Sequence, residues 1–261
     1  MYQERIKFML YHFSLLFCLS CEGVDEVFTL DDSLQECTNN VISSGKYYQL
    51  GERMFLNAHE DSSKHFDVTD WSLSACNLGA SLNRESFEAL YLPDYELLSN
   101  KLSSFQEDEE AVFVLADKGV LVFPLGTLLT HEVINEQVGD VAIMVVYCPL
   151  ADLVSVYHRN YCDTDLMFAV SGFTYKEDYL GNELESFILW DRETESLWWP
   201  INEQGVSGVF QGEALKKYNS AKWGRGQLNE IVKDYPDALV IKQGQGFSEE
   251  EYLPQMVNCS L

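Results

Sequence analysis

The sequence predicts an α+β fold, built mainly on antiparallel β-sheet with a few short helices. Runs rich in valine, isoleucine and aromatic residues recur between residues 111 and 242, with turn signals between them. The intervals between these runs are too short for helical crossovers throughout, which favours antiparallel pairing. Apolar residues form 46% of the 261 residues, which is typical of a globular chain with a packed core.

The clearest strand pair is a hairpin. AVFVL and VLVF flank Asp117-Lys118-Gly119, and glycine supplies the positive φ that a tight turn needs. Further strands are predicted in VAIMVVY, DLVSVYH, LMFAVSGF, SFILW and ALVIK.

Three segments predict short helices. DYELLSNKLSSF has apolar residues at three- and four-residue steps, beginning with Tyr95. PLGTLLTHEVI begins at Pro124, a residue favoured in the first helical turn, and is closed near Asn135. QLNEIVKDYP ends at Pro236.

The first twenty residues have the layout of a secretory signal. Arg5 and Lys7 precede the apolar run FMLYHFSLLF and the cluster CLSCEG. This run is too short to span a bilayer, which needs about twenty apolar residues. Ser20 before Cys21 resembles the lipobox of bacterial lipoproteins, so we expect lipidation of Cys21. The alternative is a buried amphipathic N-terminal helix.

This interpretation divides the chain into three parts. Residues 1–20 are expected to be a signal peptide of the lipoprotein type, and residues 21–58 an acidic tether and N-terminal extension. Residues 59–261 are expected to form a single globular domain. The predicted location is the bacterial cell envelope, with the protein exported and attached to the membrane through its lipid anchor.

The charge balance limits the partners. The chain has 42 acidic and 17 basic residues, a formal net charge of −25. Such a surface repels phosphate backbones. We therefore expect no nucleic-acid partner, and protein partners stay open.

The cysteine count is odd once the signal region is set aside. Seven cysteines are present, and removal of Cys18 and lipidation of Cys21 leave five. In an oxidising compartment at least one of these stays unpaired or pairs between chains. The spacing leaves their connectivity open.

Several motifs follow one another along the chain. They are FPLGTLLTHEVINEQVGDVAIMVVYCPLADLVSVYHR, FAVSGF, WDRETESLWW and KDYPDALVI, preceded by HFDVTDW and RESFEALYLPDYELLS. In this order they resemble the motifs of the bacterial family called domain of unknown function 3179. The resemblance covers roughly residues 59–241 and implies ancestry without implying a reaction. The family pattern Tyr-Cys-Pro-Leu-Cys is altered here, because Ala151 replaces the second cysteine. A two-thiolate site at these positions is therefore not available.

The first candidate site combines Cys148 with His131 and Glu132. His131-Glu132 begins like the zinc motif H-E-x-x-H, but position 135 is Asn135, so that motif fails. If the helix packs beside the strand that ends at Cys148, a thiolate with the imidazole or carboxylate can bind copper or zinc. His131 can alternatively act as a base that activates Cys148 as a nucleophile. The structural alternative is that both residues serve packing.

The second candidate site is a cleft around a tryptophan-rich turn. Its candidate binding residues are Trp190, Arg192, Trp198 and Trp199, although such aromatics commonly pack across strands.

Three functions remain open: a metal- or metal-cofactor-binding lipoprotein domain, a non-catalytic binding or scaffold module with this cleft, and a cysteine-dependent enzyme of unknown reaction. Whether the protein is an enzyme stays open at this stage.

Overall fold

The computed structural model describes residues 37–117, 119–179, 181–247, 252 and 254–259. The helices of these residues are α1 (Asn40–Ser43), α2 (Leu125–His131) and α3 (Leu228–Asp234). The strands follow in chain order: β1 (Tyr47–Leu50), β2 (Arg53–Leu56), β3 (Phe66–Asp67), β4 (Leu78–Ser81), β5 (Leu90–Tyr91), β6 (Tyr95–Leu97), β7 (Glu110–Ala116), β8 (Gly119–Pro124), β9 (Val133–Val138), β10 (Val141–Cys148), β11 (Leu153–His158), β12 (Asn160–Tyr161), β13 (Thr164–Asp165), β14 (Phe168–Tyr179), β15 (Asn182–Asp191), β16 (Leu197–Trp199), β17 (Gln204–Gly205), β18 (Trp223–Gln227) and β19 (Leu239–Ile241).

Three larger sheets and two small ones form from these strands. The central sheet has the order β11-β10-β9-β5, the long sheet β17-β16-β15-β14-β4, and the hairpin sheet β18-β7-β8-β19-β6. The small sheets are β1-β2-β3 and β12-β13. Among the described strands the pairing is antiparallel, apart from β5 with β9 and β8 with β19, which are parallel. The predicted fold class, α+β with mainly antiparallel sheet, is confirmed.

The predicted hairpin is confirmed as β7 and β8. They pair from Ala111 opposite Pro124 to Ala116 opposite Gly119, and Gly119 has a φ of +136°. The other predicted strands are confirmed as parts of β10, β11, β14, β15 and β19.

The helix predicted in DYELLSNKLSSF was wrong. Tyr95–Leu97 form the edge strand β6, in which Leu97 pairs with Leu239 of β19, and two single 3-10 turns follow at Leu98–Asn100 and Leu102–Ser104. The free edge of β19 gives this backbone its hydrogen bonds, so sheet pairing outweighs the helical spacing of the apolar residues.

The helix predicted from Pro124 was right in its first half only. α2 begins directly after Pro124 but ends at His131, and Val133–Val138 form β9 instead. Val133 pairs with Val146 of β10, and β-branched residues favour this extended geometry. Asn135 therefore lies on a strand and shares no helical face with His131. The third predicted helix is confirmed as α3.

The central sheet contributes to two separate cores. On β10, Met144, Val146 and Cys148 pack into the core that includes Phe168 and other residues of the long sheet. The alternate residues Ile143 and Val145 pack with apolar side chains of the hairpin sheet. Because both faces are covered, VAIMVVY reads as a continuous apolar run rather than an alternating one.

Two buried polar side chains connect these strands. The Asn135 Nδ2 donates to the carbonyls of Leu90 at 3.1 Å and Phe168 at 2.8 Å, and its Oδ1 accepts from the Phe168 N–H at 2.9 Å. The Arg159 guanidinium donates to the carbonyls of Ile143, Leu166 and Glu136 at 2.6–3.1 Å. Buried groups of this kind are stable only when hydrogen-bonded.

Four cysteines of the described region form the disulfides Cys37–Cys76 and Cys162–Cys259, and Cys148 is free and buried. The compact unit begins at Cys37. Val41 and Leu56 are fully buried in the first core, so the folded region starts before residue 59.

The expected signal peptide at residues 1–20 and the lipidation site Cys21 lie outside the described residues. No helix within the described part of the chain combines the length and the apolar character needed to cross a membrane.

Replacement of Asn135 by alanine tests its role as a connector. The change leaves the buried N–H and C=O of Phe168 without partners, so we expect Asn135→Ala to lower the free energy of unfolding by about 3 kcal/mol or more. Urea unfolding measures this loss. Asn160→Ala is the matched control, because the Asn160 amide bonds only an exposed carboxylate; it should cost less than about 0.5 kcal/mol. Similar midpoints for the two variants would contradict the prediction.

Candidate functional site

Glu132 stands at the point where the chain leaves α2 for β9. Its N–H donates to the Leu128 carbonyl at 2.6 Å, and its own carbonyl accepts from the Tyr147 N–H at 3.0 Å. Its φ is +57°, a conformation that costs a non-glycine residue roughly 1 kcal/mol or more. The turn directs the Glu132 side chain into a pocket.

This pocket, the Glu132 pocket, has a volume of about 260 Å³ and mostly apolar walls. Its walls come from three places: the chain around β4, the residues after β10, and the paired strands β14 and β15. The lining residues are Ala80, Leu82, Phe87, Glu132, Pro149, Leu150, Val170, Gly172, Phe173, Thr174 and Phe187.

Gly172 makes one wall possible. Its φ is +86°, and a Cβ there would lie 2.5 Å from the Asn83 carbonyl oxygen. The pairing of β14 with β15 shifts register between Val170 and Thr174, and the Leu82 N–H donates to the Gly172 carbonyl at 2.6 Å. This close approach seats residues 82–87, which we call the wall segment, against β14.

The carboxyl of Glu132 is isolated. The residue is 8% exposed, and the described residues give its carboxyl no hydrogen bond or ion pair. Burial raises the pKa of Glu132 to about 7. A carboxyl in such surroundings changes protonation near neutral pH, which is a common property of functional sites.

The other residues of the first candidate site have different surroundings. Cys148 is fully buried in the core between the central and long sheets. His131 Nδ1 lies 2.6 Å from the Glu88 carbonyl oxygen, and since a carbonyl only accepts, that nitrogen carries the proton. Within the described residues no group of three or more His, Cys, Asp and Glu side chains is placed to hold a metal. Copper or zinc binding by Cys148, His131 and Glu132 therefore stays a prediction, as does activation of Cys148 by His131.

The three tryptophans of the tryptophan-rich turn are all core residues, and Trp190 is 3% exposed. Trp198 and Trp199 are buried, and Trp198 Nε1 donates to Asp191 Oδ2 at 2.9 Å. Trp190 and Arg192 line a second cavity, together with charged side chains from elsewhere in the chain. Trp198 and Trp199 therefore serve packing, and Trp190 packs in the core while it also lines this cavity with Arg192. Ligand binding by these four residues stays a prediction.

Sequence reasoning missed most of the Glu132 pocket. Its walls are leucine, phenylalanine and valine residues, which look like ordinary core residues in a sequence. Gly172 within a strand run was the one local signal, because an isolated glycine there indicates a bulge or a close backbone approach.

Glu132→Gln tests the isolation of the carboxyl. The folded state holds the Glu132 proton more tightly than the unfolded chain, since its pKa is about 7 against an ordinary value of 4.5. The stability that the protonated form contributes is complete below about pH 4.5 and is lost as the pH rises through about 7. The free energy of unfolding of Glu132→Gln, taken relative to that of the wild type, should therefore rise by about 1–2 kcal/mol between pH 4.5 and pH 8. The full shift corresponds to about 3 kcal/mol, and water at the pocket mouth reduces it.

Urea unfolding of both proteins at the two pH values measures this difference. Glu230→Gln, on the exposed face of α3, is the matched control and should change little at either pH. An equal effect of Glu132→Gln at both pH values would contradict the prediction.

Comparisons with known proteins show which family this chain belongs to. Neither the comparison with curated proteins nor the comparison with solved structures gave a match. The family model described as "Protein of unknown function (DUF3179)" matches residues 85–253. The matched region contains Glu132, the strand end at Cys148 and the Trp190–Arg192 turn, and it confirms the resemblance found in the motifs. Because this match spans more than half of the chain, the protein belongs to the DUF3179 family.

Proposed function

We propose that this domain binds a small, largely apolar molecule that carries one amine, and that Glu132 recognises the amine. The observation that supports this proposal is the isolated, buried carboxyl in an apolar pocket. Leaving such a carboxyl without partners costs stability. An apolar pocket with a few polar groups and a perturbed pKa is the usual form of a small-molecule site.

The size and walls of the pocket restrict the ligand. A volume of about 260 Å³ lies below the range of drug-sized sites, roughly 300–1,000 Å³, so the ligand body is a single ring or a short branched chain. Phe87, Phe173 and Phe187 offer aromatic contact to such a body. Leu82 and Leu150, which are 49% and 58% exposed, extend the apolar surface outward at the mouth.

The charge of the lining favours an amine over an acid. The described lining residues include no lysine, arginine or histidine, so an anionic group would be buried without a counter-charge. A protonated amine would instead form a charge-assisted hydrogen bond with the Glu132 carboxylate, and such bonds are about twice as strong as neutral ones.

Binding explains the site better than catalysis. Among the described lining residues Glu132 is the one titratable group. The hydroxyl of Thr174, which also lines the pocket, donates to Glu185 and not to Glu132. Cys148 is fully buried among apolar side chains, whereas a reactive thiolate needs an electropositive, partly exposed setting.

We also propose that the domain works in the cell envelope, attached through a lipid at Cys21. The two disulfides of the described region support export, because paired cysteines persist in oxidising compartments. One lipid-modified residue would keep the pocket near the membrane without a spanning helix.

Calorimetric titration of the full-length protein with benzylamine tests the proposed ligand class. We expect a Kd below about 1 mM at pH 8, at least tenfold weaker binding to Glu132→Gln, and no binding of benzoate, the matched anion. Wild-type affinity should fall at pH 6, because Glu132 then carries a proton. Glu230→Gln should bind as the wild type does.

Two outcomes would overturn the amine proposal. One is equal affinity of the wild type and Glu132→Gln for benzylamine. The other is a stoichiometric copper or zinc ion in protein purified without chelator that disappears in Cys148→Ala, which would favour the metal hypothesis.

Labelled fatty acid tests the anchor. Expression in a bacterial host should incorporate the label into the wild type and into Cys18→Ser, but not into Cys21→Ser, because the thiol of Cys21 is the proposed attachment point. Equal labelling of Cys21→Ser would show that this assignment is wrong.

A further inference from the structure

Another cavity, which we call the Trp71 pocket, lies where two distant parts of the chain meet. Its volume is about 260 Å³. Its lining residues are Asp67, Thr69, Asp70, Trp71, Ser207, Gly208 and Gln211. One wall therefore comes from the chain at and after β3, and the other from the turn after β17. The Ser72 N–H donates to the Val206 carbonyl at 2.9 Å and joins the two walls.

The turn after β17 is held in one conformation. The Gln211 N–H donates to the Gly208 carbonyl at 3.2 Å, and the φ of Gly208 is +74°. A Cβ at Gly208 would lie 2.6 Å from the Ser196 Oγ and 2.9 Å from the Ser196 Cα, so this turn needs glycine. The Ser207 Oγ accepts from the Leu197 N–H at 3.2 Å. Gln211 therefore extends from an ordered backbone, which reduces the entropy lost when a ligand binds.

Trp71 gives the pocket an aromatic wall. Its side chain is half-buried and packs against the core between the central and long sheets. Tyr47 stacks on the indole, with ring centroids 6.3 Å apart and planes 24° apart, and this contact orients the indole. Tyr47 is not among the lining residues, so the part of the indole that lines the pocket is accessible to a ligand. The face of an aromatic ring carries partial negative charge and attracts C–H groups, which carry partial positive charge.

The polar side chains of the pocket fall into two groups. Asp67 forms an ion pair with Arg53, and the Thr69 hydroxyl donates to Asp67 Oδ1 at 2.6 Å. Asp70 and Gln211 are exposed, and the described residues give neither side chain a hydrogen bond or ion pair. A carboxylate accepts hydrogen bonds, and a primary amide both donates and accepts them. The second group therefore has hydrogen-bonding capacity for a ligand, whereas the first group is already paired.

We propose that the Trp71 pocket binds a neutral sugar ring of the hexopyranose type. The C–H face of the sugar stacks on the Trp71 indole, and its hydroxyl groups bond Asp70 and Gln211. Each sugar hydroxyl both donates and accepts, so neighbouring hydroxyls satisfy a carboxylate and an amide together. Arg53 balances the charge of Asp67, and Asp70 stays in contact with water, so an uncharged ligand leaves no buried charge without a partner.

The lining favours a sugar over an organic cation. Sites for quaternary ammonium groups surround the charge with an aromatic cage, whereas Trp71 is the one aromatic residue among the described lining residues. Thr69, Ser207 and Gln211 are uncharged polar residues, which suit hydroxyl groups. This site is independent of the Glu132 pocket, because the two linings have no residue in common.

Fluorescence titration of the full-length protein tests this site with the methyl glycosides of glucose, galactose, mannose and N-acetylglucosamine. We expect at least one glycoside to bind with a Kd below about 10 mM and to change the tryptophan emission, because it contacts the Trp71 indole. Trp71→Phe should lose this emission change. Asp70→Asn should weaken binding by about fivefold or more and Gln211→Ala by about threefold or more, because each removes hydrogen bonds to the sugar. Cyclohexanol, a ring of similar size with one hydroxyl, should not bind.

Matched variants keep the test independent of folding and of the amine site. Asp70→Asn and Gln211→Ala change exposed side chains and should melt near the wild-type temperature. Asp237→Asn, at an exposed position after α3, should leave glycoside affinity unchanged, and so should Glu132→Gln. The proposal is overturned if none of the four glycosides binds the wild type with a Kd below about 10 mM, or if Trp71→Phe keeps the full emission change. It is also overturned if Asp70→Asn and Gln211→Ala both bind like the wild type, or if tetramethylammonium binds more tightly than every glycoside.

Discussion

The amide of Asn135 fixes the junction on which the rest of the structure depends. It bonds both the N–H and the carbonyl of Phe168, so it attaches the central sheet to the first residue of β14. From there β14 continues through Val170 to Phe173, which wall the Glu132 pocket. Glu132 itself lies just before the strand that carries Asn135. One buried side chain that satisfies three backbone groups therefore joins the central sheet to the strand that walls the pocket.

Much of the fold could be predicted because strand residues and turn residues are local signals. The hairpin around Gly119 needs only a glycine between two apolar runs, and the structure has it there. Tyr95–Leu97 could not be assigned in this way, because their partner β19 lies more than 140 residues further along the chain. Asn135 was misplaced for a similar reason. A helix that ends at a glutamate with positive φ carries no glycine or proline to announce its end.

The candidate sites show the same division between local and long-range information. Glu132 stood out because it follows a histidine in a metal-like motif, but the motif predicted a helical face that does not exist. What isolates its carboxyl is the convergence of residues from β4, from the turn after β10, and from β14 and β15. Lys64 and Arg84 are likewise unremarkable in sequence, and folding alone brings them beside Arg192, which the sequence did single out. A single sequence does not show which distant residues the fold brings together.

The wall segment makes contacts on two sides. Its Leu82 and Phe87 line the Glu132 pocket, whereas Arg84 stacks on the Trp190 ring and Glu85 forms an ion pair with Arg192. A displacement of this short stretch of backbone at the pocket would therefore also disturb the packing around Trp190.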